Sequence, residues 1–497
     1  MPLSKAALDI SNFRHRNILG ALAVGGLALG LRLWGLGAQS LTMDEVGEVA
    51  LARQPVRHIV FAQDGLPPLY HLLLRGWIGA FGSDAARWFS VLCGMLLIAV
   101  VWRLGRMAGG TTTAWVGAVL VAVSPIHVWY SQEARANMLF YLLAVLATWL
   151  FFRAMESDRP RDWLLYGLAA VAGIYSHYYF PLVIAALLVA VLLERDARPR
   201  IGRLALVHGA IAAAAIPWLM LLGPDLQLQS GYTPLSQPLD IKSLGYTIVT
   251  FLLGFSVGPS VRDLHTSRAG RTLLEAAPWG VAALAICAAV VRSLWTTPST
   301  HRWSMRLGVV LALPIAACGV AATMLDLGYR IRYVAWGATI LLVLLALAIA
   351  QGRRLKTTWA AAALLVVLSA VSLVNRNTDG RYMNEDAKGV AAYIVATLPA
   401  ASPIFVTSGY MAAPMRHYLG PAWAVRSLPP AGVRGRPTEA LEAIKGAVSP
   451  GEPFWLVYSR PWDDDPGGRV REELQSLAGL SRHREWAGME LYEGKGW

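Results

Sequence analysis

Long apolar stretches recur along roughly the first three quarters of this chain, and they restrict its possible folds more than any other feature. About eleven of them approach or exceed the ~18 residues that a helix needs to cross ~30 Å of hydrocarbon. Only 15% of the 497 residues are charged, whereas a soluble domain carries about 25%. The sequence therefore predicts a mainly α-helical, polytopic membrane bundle.

The candidate spans alternate with short loops whose charges indicate their sidedness. If the N-terminus is cytoplasmic, every second loop carries the basic residues, for example Arg103 with Arg106, as the positive-inside rule requires. The net charge of +13 is then a topology signal, and no nucleic-acid partner is expected. The spans are predicted near residues 18–36, 86–105, 112–129, 137–154, 162–176, 178–194, 203–222, 276–294, 305–324, 333–350 and 357–375.

An odd number of spans places the segment after Asn375 on the same outer side as the loops 37–84 and 223–275. We expect a bacterial inner-membrane protein with a cytoplasmic N-terminus. The apolar segment 243–255 is too short to cross, which predicts an interfacial or re-entrant helix. A true crossing there would invert the final domain. The predicted domains are a transmembrane domain over residues 1–375 and a periplasmic α/β domain over residues 376–497.

The composition after about residue 384 is that of a small soluble α/β domain. Asn384 can cap a helix, and residues 403–406 and 454–458 have strand composition. Helices near 437–447 and 469–477 complete the alternation. Because this segment contains no G-x-G-x-x-G, P-loop or metal-ligand spacing, we expect a support or acceptor-contact module.

The cysteines give no disulfide framework and no Cys-rich metal site. All three, Cys93, Cys287 and Cys318, fall inside apolar stretches and are expected to be buried small hydrophobes. No cofactor is required by any motif; a divalent metal is compatible with the sequence but is not predicted.

A carboxylate pair, Asp44 and Glu45, follows the first predicted span. Thr42 and Glu45 have the T-x-x-E spacing of a capping box, which gives Glu45 a structural role at the start of a helix lying along the membrane surface. Asp44 is either a residue that favours a helix start or a general base that takes a proton from an acceptor hydroxyl. Local sequence alone leaves both roles open.

The same loop continues through Asp64-Gly-Leu-Pro-Pro-Leu-Tyr-His71 into a second predicted amphipathic helix. Asp64 is by default a turn residue, and His71 is more often packed than a ligand. Asp64 and His71 are therefore expected to support the site rather than to react, and Tyr70 beside them is a candidate donor- or substrate-binding residue.

Arginines occur at two other predicted outer boundaries, where positive charge is normally rare. Glu133 and Arg135 follow the third span, and Arg330, Arg332 and Tyr333 precede the tenth. Arginines at membrane depth need a counter-charge, which is either an ion pair or an anionic ligand. Because a guanidinium matches phosphate oxygens at two points and keeps its charge, the two arginine segments predict a lipid-phosphate site.

Two alternatives stand beside that prediction. An ion pair with Glu133 or with Asp326 would fix the helix ends without binding a ligand. His177 and Tyr178, in another outward segment, either add hydrogen bonds near the same headgroup or belong to an aromatic belt.

These motifs together resemble a known superfamily. They are Met-Asp-Glu after the first helix, Pro-Pro-Leu-Tyr-His, Ser-Pro-x-x-x-x-Tyr-Ser-Gln-Glu-Ala-Arg on the third span, and a late Arg-Tyr. The chain is similar over nearly its whole length to polyprenyl-phosphate-sugar glycosyltransferases of the type C membrane fold. The relatives are protein O-mannosyltransferases, lipid A aminoarabinose transferases and rhizobial lipopolysaccharide galacturonosyltransferases. Each motif alone is weak, and their combination does not specify the sugar.

The resemblance implies a type C fold and roles for individual residues. Asp44 would be the catalytic carboxylate with Glu45 beside it, Arg135 and the Arg330/Arg332 region would contact the donor phosphate, and Glu133 would orient Arg135. The chain departs from the aminoarabinose transferases at Asp64-Gly-Leu-Pro, where those enzymes carry an acidic-lysine pair. Their sugar specificity is therefore not carried over.

The expected function is transfer of one sugar, with inversion, from a polyprenyl-phosphate donor to a hydroxyl of lipopolysaccharide or lipid A, another envelope glycan or a protein. The alternatives are a secondary transporter or lipid flippase, a ligase or polymerase that uses diphosphate-linked donors, and an assembly role without catalysis. Unusual polar groups at one membrane surface, rather than at the midplane, favour the transferase over the transporter.

Overall fold

The computed structural model describes residues 3–61, 66–194, 200–229, 239–324, 329–351, 356–399, 402–428, 437–465 and 467–497. They form two compact units. The helical unit comprises Met1–Trp34, Leu51–Val257 and Ala276–Leu373, and the sheet unit comprises Gly35–Ala50, Gly258–Glu275 and Val374–Trp497.

The α-helices follow one another along the whole chain. In order they are α1 (Leu3–Leu33), α2 (Met43–Ala52), α3 (Val56–Phe61), α4 (Pro68–Phe81), α5 (Ala86–Val123), α6 (Pro125–Ser131), α7 (Asn137–Ser157), α8 (Pro160–Ile174), α9 (Phe180–Leu192), α10 (Ile201–Gln229), α11 (Ile241–Leu253), α12 (Val261–Thr266), α13 (Ala269–Trp295), α14 (His301–Met324), α15 (Gly337–Gln351), α16 (Lys356–Thr378), α17 (Ala387–Thr397), α18 (Ala412–Leu419), α19 (Pro437–Lys445), α20 (Pro461–Asp464) and α21 (Arg469–Ala478).

Six helices in the described part of the chain are long and apolar enough to cross a membrane. They lie within Ser83–Val123, Asn137–Ser157, Ile201–Met220, Ala269–Trp295, Pro298–Met324 and Lys356–Thr378. Helix α7 is buried over 83% of its most apolar stretch and α13 over only 17%. A helix that is apolar all round belongs inside the bundle, so α7 is central and α13 exposes a wide apolar surface suited to lipid.

Each predicted span coincides with a helix, which confirms a polytopic helical bundle. Helices α8, α9 and α15 have only 15, 13 and 15 residues, so the number of crossings stays a prediction. The second and third spans form α5, which is interrupted at Gly109 and Gly110. Gly110 has a φ of +82°, and a Cβ on Gly105 would lie 3.0 Å from the Ala114 Cα. Glycines therefore permit both the sharp turn and the close packing of the two halves.

The predicted end of the third span was wrong by several residues. The helix ends at Val123, Ser124 is extended, and a separate short helix begins at Pro125. Proline has no N–H to continue the hydrogen-bond ladder and disfavours helical geometry in the residue before it. The predicted apolar segment 243–255 coincides with α11, which has 13 residues; its interfacial or re-entrant position stays a prediction.

The sheet unit has a five-stranded mixed sheet with the order β2-β1-β3-β5-β4. Strands β1, β2 and β3 are parallel, whereas β5 is antiparallel to both β3 and β4. Helices α17 and α18 pack on one face and α19 and α21 on the other. The predicted small α/β domain is thus confirmed. The strands are β1 (Ile404–Thr407), β2 (Val425–Leu428), β3 (Pro453–Ser459), β4 (Ser481–Trp486) and β5 (Met489–Lys495).

The predicted helix cap at Asn384 was wrong. Helix α17 begins at Ala387, and its cap is Asp386, whose side chain accepts a hydrogen bond from the Gly389 backbone N–H. Asn384 instead donates from its side-chain amide to the Ser40 carbonyl over 3.3 Å. Asn384 thus contacts a residue far away in sequence and does not cap the helix.

Candidate functional site

The predicted capping box at the start of α2 is present. The Thr42 backbone N–H donates to the Glu45 carboxylate over 2.9 Å, and the Glu45 N–H donates to the Thr42 hydroxyl over 3.3 Å. Glu45 is fully buried, so its carboxylate serves the helix start. Asp44 lies beside it in the first turn and is half-buried. The two carboxylates therefore differ, and Asp44 is the one with access to solvent.

The segment before α2 is attached to the sheet unit, to which it belongs. The Ser40 hydroxyl donates to the Asp386 carboxylate over 3.1 Å, and it accepts a hydrogen bond from the Lys388 N–H over 3.0 Å. The Leu41 N–H donates to the Tyr418 hydroxyl over 2.8 Å. These bonds fix the start of α2, and hence Asp44, against the C-terminal residues.

In the helical unit, a residue of α1 donates hydrogen bonds to the carbonyls just before the helix break at Pro125. The carbonyl of Val121 would normally accept from the N–H four residues later, which Pro125 lacks. The buried guanidinium of Arg32 donates instead to Val121 over 3.5 Å and to Ala122 over 3.1 Å. Its Nε also donates to the Ser131 hydroxyl over 3.2 Å. Arg32 therefore caps the helix before the break and holds α6 beside it.

The segment after α6 caps α1 in return. The last carbonyls of an α-helix have no N–H partner within the helix. At the end of α1, the Gln132 side-chain amide donates to the carbonyls of Arg32 and Trp34 over 2.9 and 2.8 Å. The Trp129 indole N–H donates to the Glu133 carboxylate over 2.6 Å. The segment that leads to Glu133 and Arg135 is thus bonded to the end of α1 through Gln132 and to α6 through Glu133.

An arginine–aromatic cluster surrounds this segment; we use that name for Tyr130, Arg135, Phe140, Tyr141, His177, Tyr179, Arg332 and Tyr333. The rings of Tyr130 and Tyr141 meet edge to face with centroids 5.2 Å apart. The Arg332 guanidinium lies 5.3 Å from the Tyr333 ring centroid. Tyr333 in turn stacks on Tyr179 at 4.2 Å. Aromatic contacts therefore join residues from α6, α7, the α8–α9 turn and the turn before α15.

His177 shows that both arginines act at this cluster. Its ring stacks on Phe140 with centroids 4.1 Å apart and an interplanar angle of 4°. Burial, followed by the positive charges of Arg332 and Arg135, lowers the pKa of His177. The Tyr333 ring, beside which the Arg332 guanidinium lies, is also close to His177, with ring centroids 6.3 Å apart. The neutral imidazole adds a polar ring without adding further positive charge.

The other predicted site residues are placed less centrally. Arg330 is exposed, and Tyr178 is half-buried with its ring 6.4 Å from that of Trp218. Tyr70 and His71 are buried in α4, with ring centroids 5.4 Å apart. Their packed positions agree with a supporting role. Asp64 and Asp326 lie outside the described residues.

The chemistry divides between the two units. The helical unit offers guanidinium groups, a neutral imidazole and phenol rings, which suit an anion attached to a long apolar chain. The sheet unit offers Asp44, a carboxylate with solvent access. Among the described residues no three His, Cys, Asp or Glu side chains are grouped so that they could hold a metal ion. The prediction about metal use stays a prediction.

Three contributors were missed at the sequence level. The sequence assigned them no role: Arg32 lies within the first predicted span, Tyr130 within the Ser-Pro-x-x-x-x-Tyr-Ser-Gln-Glu-Ala-Arg motif, and Tyr141 within the fourth predicted span. A charged residue inside an apolar stretch was the available signal for Arg32, because such a residue needs partners inside the bundle. The two tyrosines carry no comparable local signal.

Residues 66–221 match the dolichyl-phosphate-mannose-protein mannosyltransferase family, a region that includes Arg135 and His177. The apo structure of ArnT from Cupriavidus metallidurans covers 95% of this chain and 97% of its own, with 12% identity and a TM-score of 0.59. The chain therefore has the fold of the type C membrane glycosyltransferases.

A second structure agrees with this glycosyltransferase fold. The archaeal oligosaccharyltransferase AglB from Archaeoglobus fulgidus, in complex with an inhibitory peptide and a dolichol-phosphate, covers 96% of this chain and 74% of its own, with 12% identity and a TM-score of 0.56. No curated protein matches the glycosyltransferase in sequence. The sequence predictions of the fold and of an enzyme are confirmed.

Proposed function

We propose that this glycosyltransferase moves one sugar from a polyprenyl-phosphate donor to an acceptor hydroxyl, with Asp44 as the general base. The observation that carries the proposal is the arginine–aromatic cluster, in which the Arg332 guanidinium lies 5.3 Å from the Tyr333 ring centroid and Arg135 follows Tyr130 on the same segment. The matching family is named for a dolichyl-phosphate sugar, and the AglB structure contains a dolichol-phosphate. A lipid phosphate is therefore the anion best supported for the cluster.

The arginines suit a phosphate that becomes a leaving group. A guanidinium keeps its charge at every relevant pH and can donate two parallel hydrogen bonds to phosphate oxygens. When the glycosidic bond breaks, negative charge grows on the phosphate, and fixed positive groups stabilise that charge more than they stabilise the intact donor. Arg135 and Arg332 would thus act on the departure of the lipid phosphate.

The reaction is proposed as a single displacement. The acceptor oxygen forms a bond to the anomeric carbon while the bond from that carbon to the phosphate oxygen breaks. The bonding pair leaves with the polyprenyl phosphate, and the acceptor proton passes to the Asp44 carboxylate. One displacement inverts the anomeric centre. The acceptor is proposed to be lipid A or lipopolysaccharide, another envelope glycan or a protein.

The sidedness belongs to the same proposal. Basic residues follow alternate predicted spans, for example Arg103 and Arg106, which favours a cytoplasmic position for those loops. The sheet unit would then lie on the periplasmic side of a bacterial inner membrane. Labelling of single cysteines introduced at exposed Glu452 and Arg106 by a membrane-impermeant maleimide should modify only the former in intact spheroplasts.

The phosphate site is tested by binding of undecaprenyl phosphate to the purified protein in lipid nanodiscs. Arg135→Gln and Arg332→Gln should each weaken binding about ten- to a hundredfold, because each removes a charge-assisted contact of about 1.5–3 kcal/mol. Arg292→Gln is the control, since Arg292 is an exposed arginine at the end of α13. Unchanged affinity in both cluster variants would place the phosphate elsewhere.

The base is tested by sugar transfer from undecaprenyl-phosphate sugars extracted from the host membrane. Asp44→Asn should slow transfer by about 10²–10⁴ while undecaprenyl phosphate still binds. Glu48→Gln removes another half-buried carboxylate one turn along α2 and should keep most of the activity. Parental transfer rates in the Asp44→Asn protein would exclude Asp44 as the base.

A further inference from the structure

The parallel half of the sheet has a change of direction between two of its strands. Strand β1 lies between β2 and β3. The chain leaves β1 into α18, which packs with Ile404 and Val406 on one face. It leaves β3 towards α21, which packs with Phe405 and Leu456 on the other face. The connections therefore diverge from the carboxyl ends of β1 and β3.

Such a divergence opens a crevice at the carboxyl ends of the two strands. In open α/β sheets, ligands bind in this crevice, at the point where the strand order reverses. The order β2-β1-β3 puts that point between β1 and β3. The fold of the sheet unit thus predicts a binding position at the carboxyl ends of β1 and β3, independently of the side chains found there.

The backbone at both strand ends is held in an unusual conformation. Ser408 follows β1 with a φ of +51°, and Arg460 follows β3 with a φ of +44°. Left-handed geometry costs a non-glycine residue on the order of 1 kcal/mol or more, and it persists where the surroundings impose it. The Ser408 hydroxyl lies within hydrogen-bonding distance of the carbonyls of Ser459 and Arg460, at 3.1 and 3.0 Å. The two strand ends are therefore fixed to each other.

Charged and polar side chains gather at these strand ends. The Arg460 guanidinium donates to both oxygens of Glu385 over 2.6 and 3.0 Å. The same guanidinium lies 5.5 Å from the centroid of the Tyr410 ring. The Tyr410 hydroxyl donates to the Asp463 carboxylate. Two carboxylates accompany the guanidinium, so the group does not present a net positive charge.

An aromatic surface completes the group. The rings of Trp462 and His265 are stacked, with centroids 5.7 Å apart and an interplanar angle of 4°. Trp462 is half-buried and His265 is exposed, so part of the stacked pair is open to solvent. Trp462 lies two residues beyond Arg460 and next to Asp463. An aromatic face and several hydrogen-bonding groups thus follow the end of β3 directly.

We propose that this strand-end site, comprising Glu385, Tyr410, Arg460, Trp462, Asp463 and His265, binds the carbohydrate part of the acceptor. A sugar ring has an apolar C–H face that packs on an aromatic ring, and hydroxyls that both donate to carboxylates and accept from guanidinium groups. A phosphate would meet the carboxylates of Glu385 and Asp463, which disfavours an anionic ligand. Only the assignment of the sugar as acceptor rests on the proposed function.

The test is binding of the full-length protein, in lipid nanodiscs and without donor, to an array of oligosaccharides released from bacterial envelope polysaccharides. Trp462→Ala and Asp463→Asn should each reduce binding at least tenfold. Trp497→Ala is the matched control. Trp497 is a half-buried tryptophan that follows β5, and the end of β5 pairs with the start of β3. It therefore lies at the opposite end of these strands from the strand-end site. Glu48→Gln, which removes a half-buried carboxylate of α2, should bind like the parent.

Each outcome decides a different question. Loss in both strand-end variants with retention in the Trp497→Ala and Glu48→Gln proteins supports the site. No glycan binding by the parent, equal loss in the Trp497→Ala protein, or parental binding by both strand-end variants overturns it. If Asp463→Asn keeps the parental melting temperature, a loss of binding is not a folding defect. Because no donor is present, failure of the proposed transfer reaction would leave this result unchanged.

Discussion

Gly94 sits where α5 passes the Arg32–Ser131 hydrogen bond, and replacing it tests whether that bond positions α6. A Cβ on Gly94 would lie 2.2 Å from the Ser131 Oγ and 3.0 Å from the Arg32 Nε. Both distances are shorter than ordinary contacts, so at least one partner must move. The parental glycine allows the serine to accept from Arg32 over 3.2 Å.

The expected effect of Gly94→Ala follows from opposing contributions. Alanine in place of glycine favours a helix by about 1 kcal/mol. Against this, forcing a methyl group into a packed site costs about 1–3 kcal/mol, and losing the Arg32–Ser131 bond costs about 1 kcal/mol more. The net result is a destabilisation of about 1–3 kcal/mol. The clash outweighs the gain in helix propensity.

Gly167 provides a control with the opposite sign. It also lies within a helix, α8, and a Cβ there would meet no atom within 4 Å. Gly167→Ala should therefore leave stability unchanged or raise it by up to about 1 kcal/mol. Thermal unfolding midpoints of the detergent-solubilised proteins, measured by loss of the monodisperse chromatographic peak, compare the two variants directly.

A second substitution identifies the cause. Gly94→Ala combined with Ser131→Ala removes the atom closest to the new methyl group, so the double variant should recover part of the lost midpoint. If Gly94→Ala unfolds at the same temperature as Gly167→Ala, the packing around Arg32 is not as described, and the capping argument for α6 fails with it.

Three further predictions concern other contacts. Thr42→Val keeps the side-chain shape but removes the hydroxyl that caps α2 beside Glu45, so it should lower stability by about 1 kcal/mol in the same thermal assay. Glu385→Gln breaks the pair with Arg460: burial raises the pKa of Glu385, but the hydrogen bonds and charge of Arg460 outweigh it and lower that pKa. The parental advantage should therefore be full at neutral pH and shrink as the pH falls below about 4, the ordinary carboxyl range, as seen in unfolding midpoints measured across pH. Arg32→Met leaves buried carbonyls without donors and should cost about 2–5 kcal/mol, seen as a lower midpoint and a poor yield of folded protein.

The features that the sequence predicted well are those set by local pattern. Long apolar runs locate helices because a span must be continuously apolar, and the largely buried α7 is one of them. The capping box of Thr42 and Glu45 was found because both partners lie within one turn. Strands β1 and β3 were located because β-rich apolar runs between turn residues are equally local.

The features that the sequence did not predict depend on contacts between distant residues. Asn384 and Asp386 are both competent caps, and both are hydrogen-bonded to Ser40, more than three hundred residues earlier. The Tyr130–Tyr141 contact depends on how α6 and α7 pack. Arg32 acts as a helix cap only because α5 ends just before Pro125. Local sequence could indicate that these residues were polar or aromatic at a boundary, but not which partner each would find.

The break at Pro125 explains why the arginine–aromatic cluster can form at all. A continuous helix through residues 112–129 would carry its backbone hydrogen bonds onward and aim the following side chains around a single helical axis. Proline ends the ladder, and Arg32 compensates the carbonyls that this leaves without donors. The chain is then free to turn, and Gln132 fixes the turn by bonding back to α1. The short helix and the turn that follows place Tyr130 and Arg135 among residues of α7 and the turn before α15. The cost of interrupting a membrane helix is thus offset by capping contacts whose result is the geometry of the proposed phosphate site.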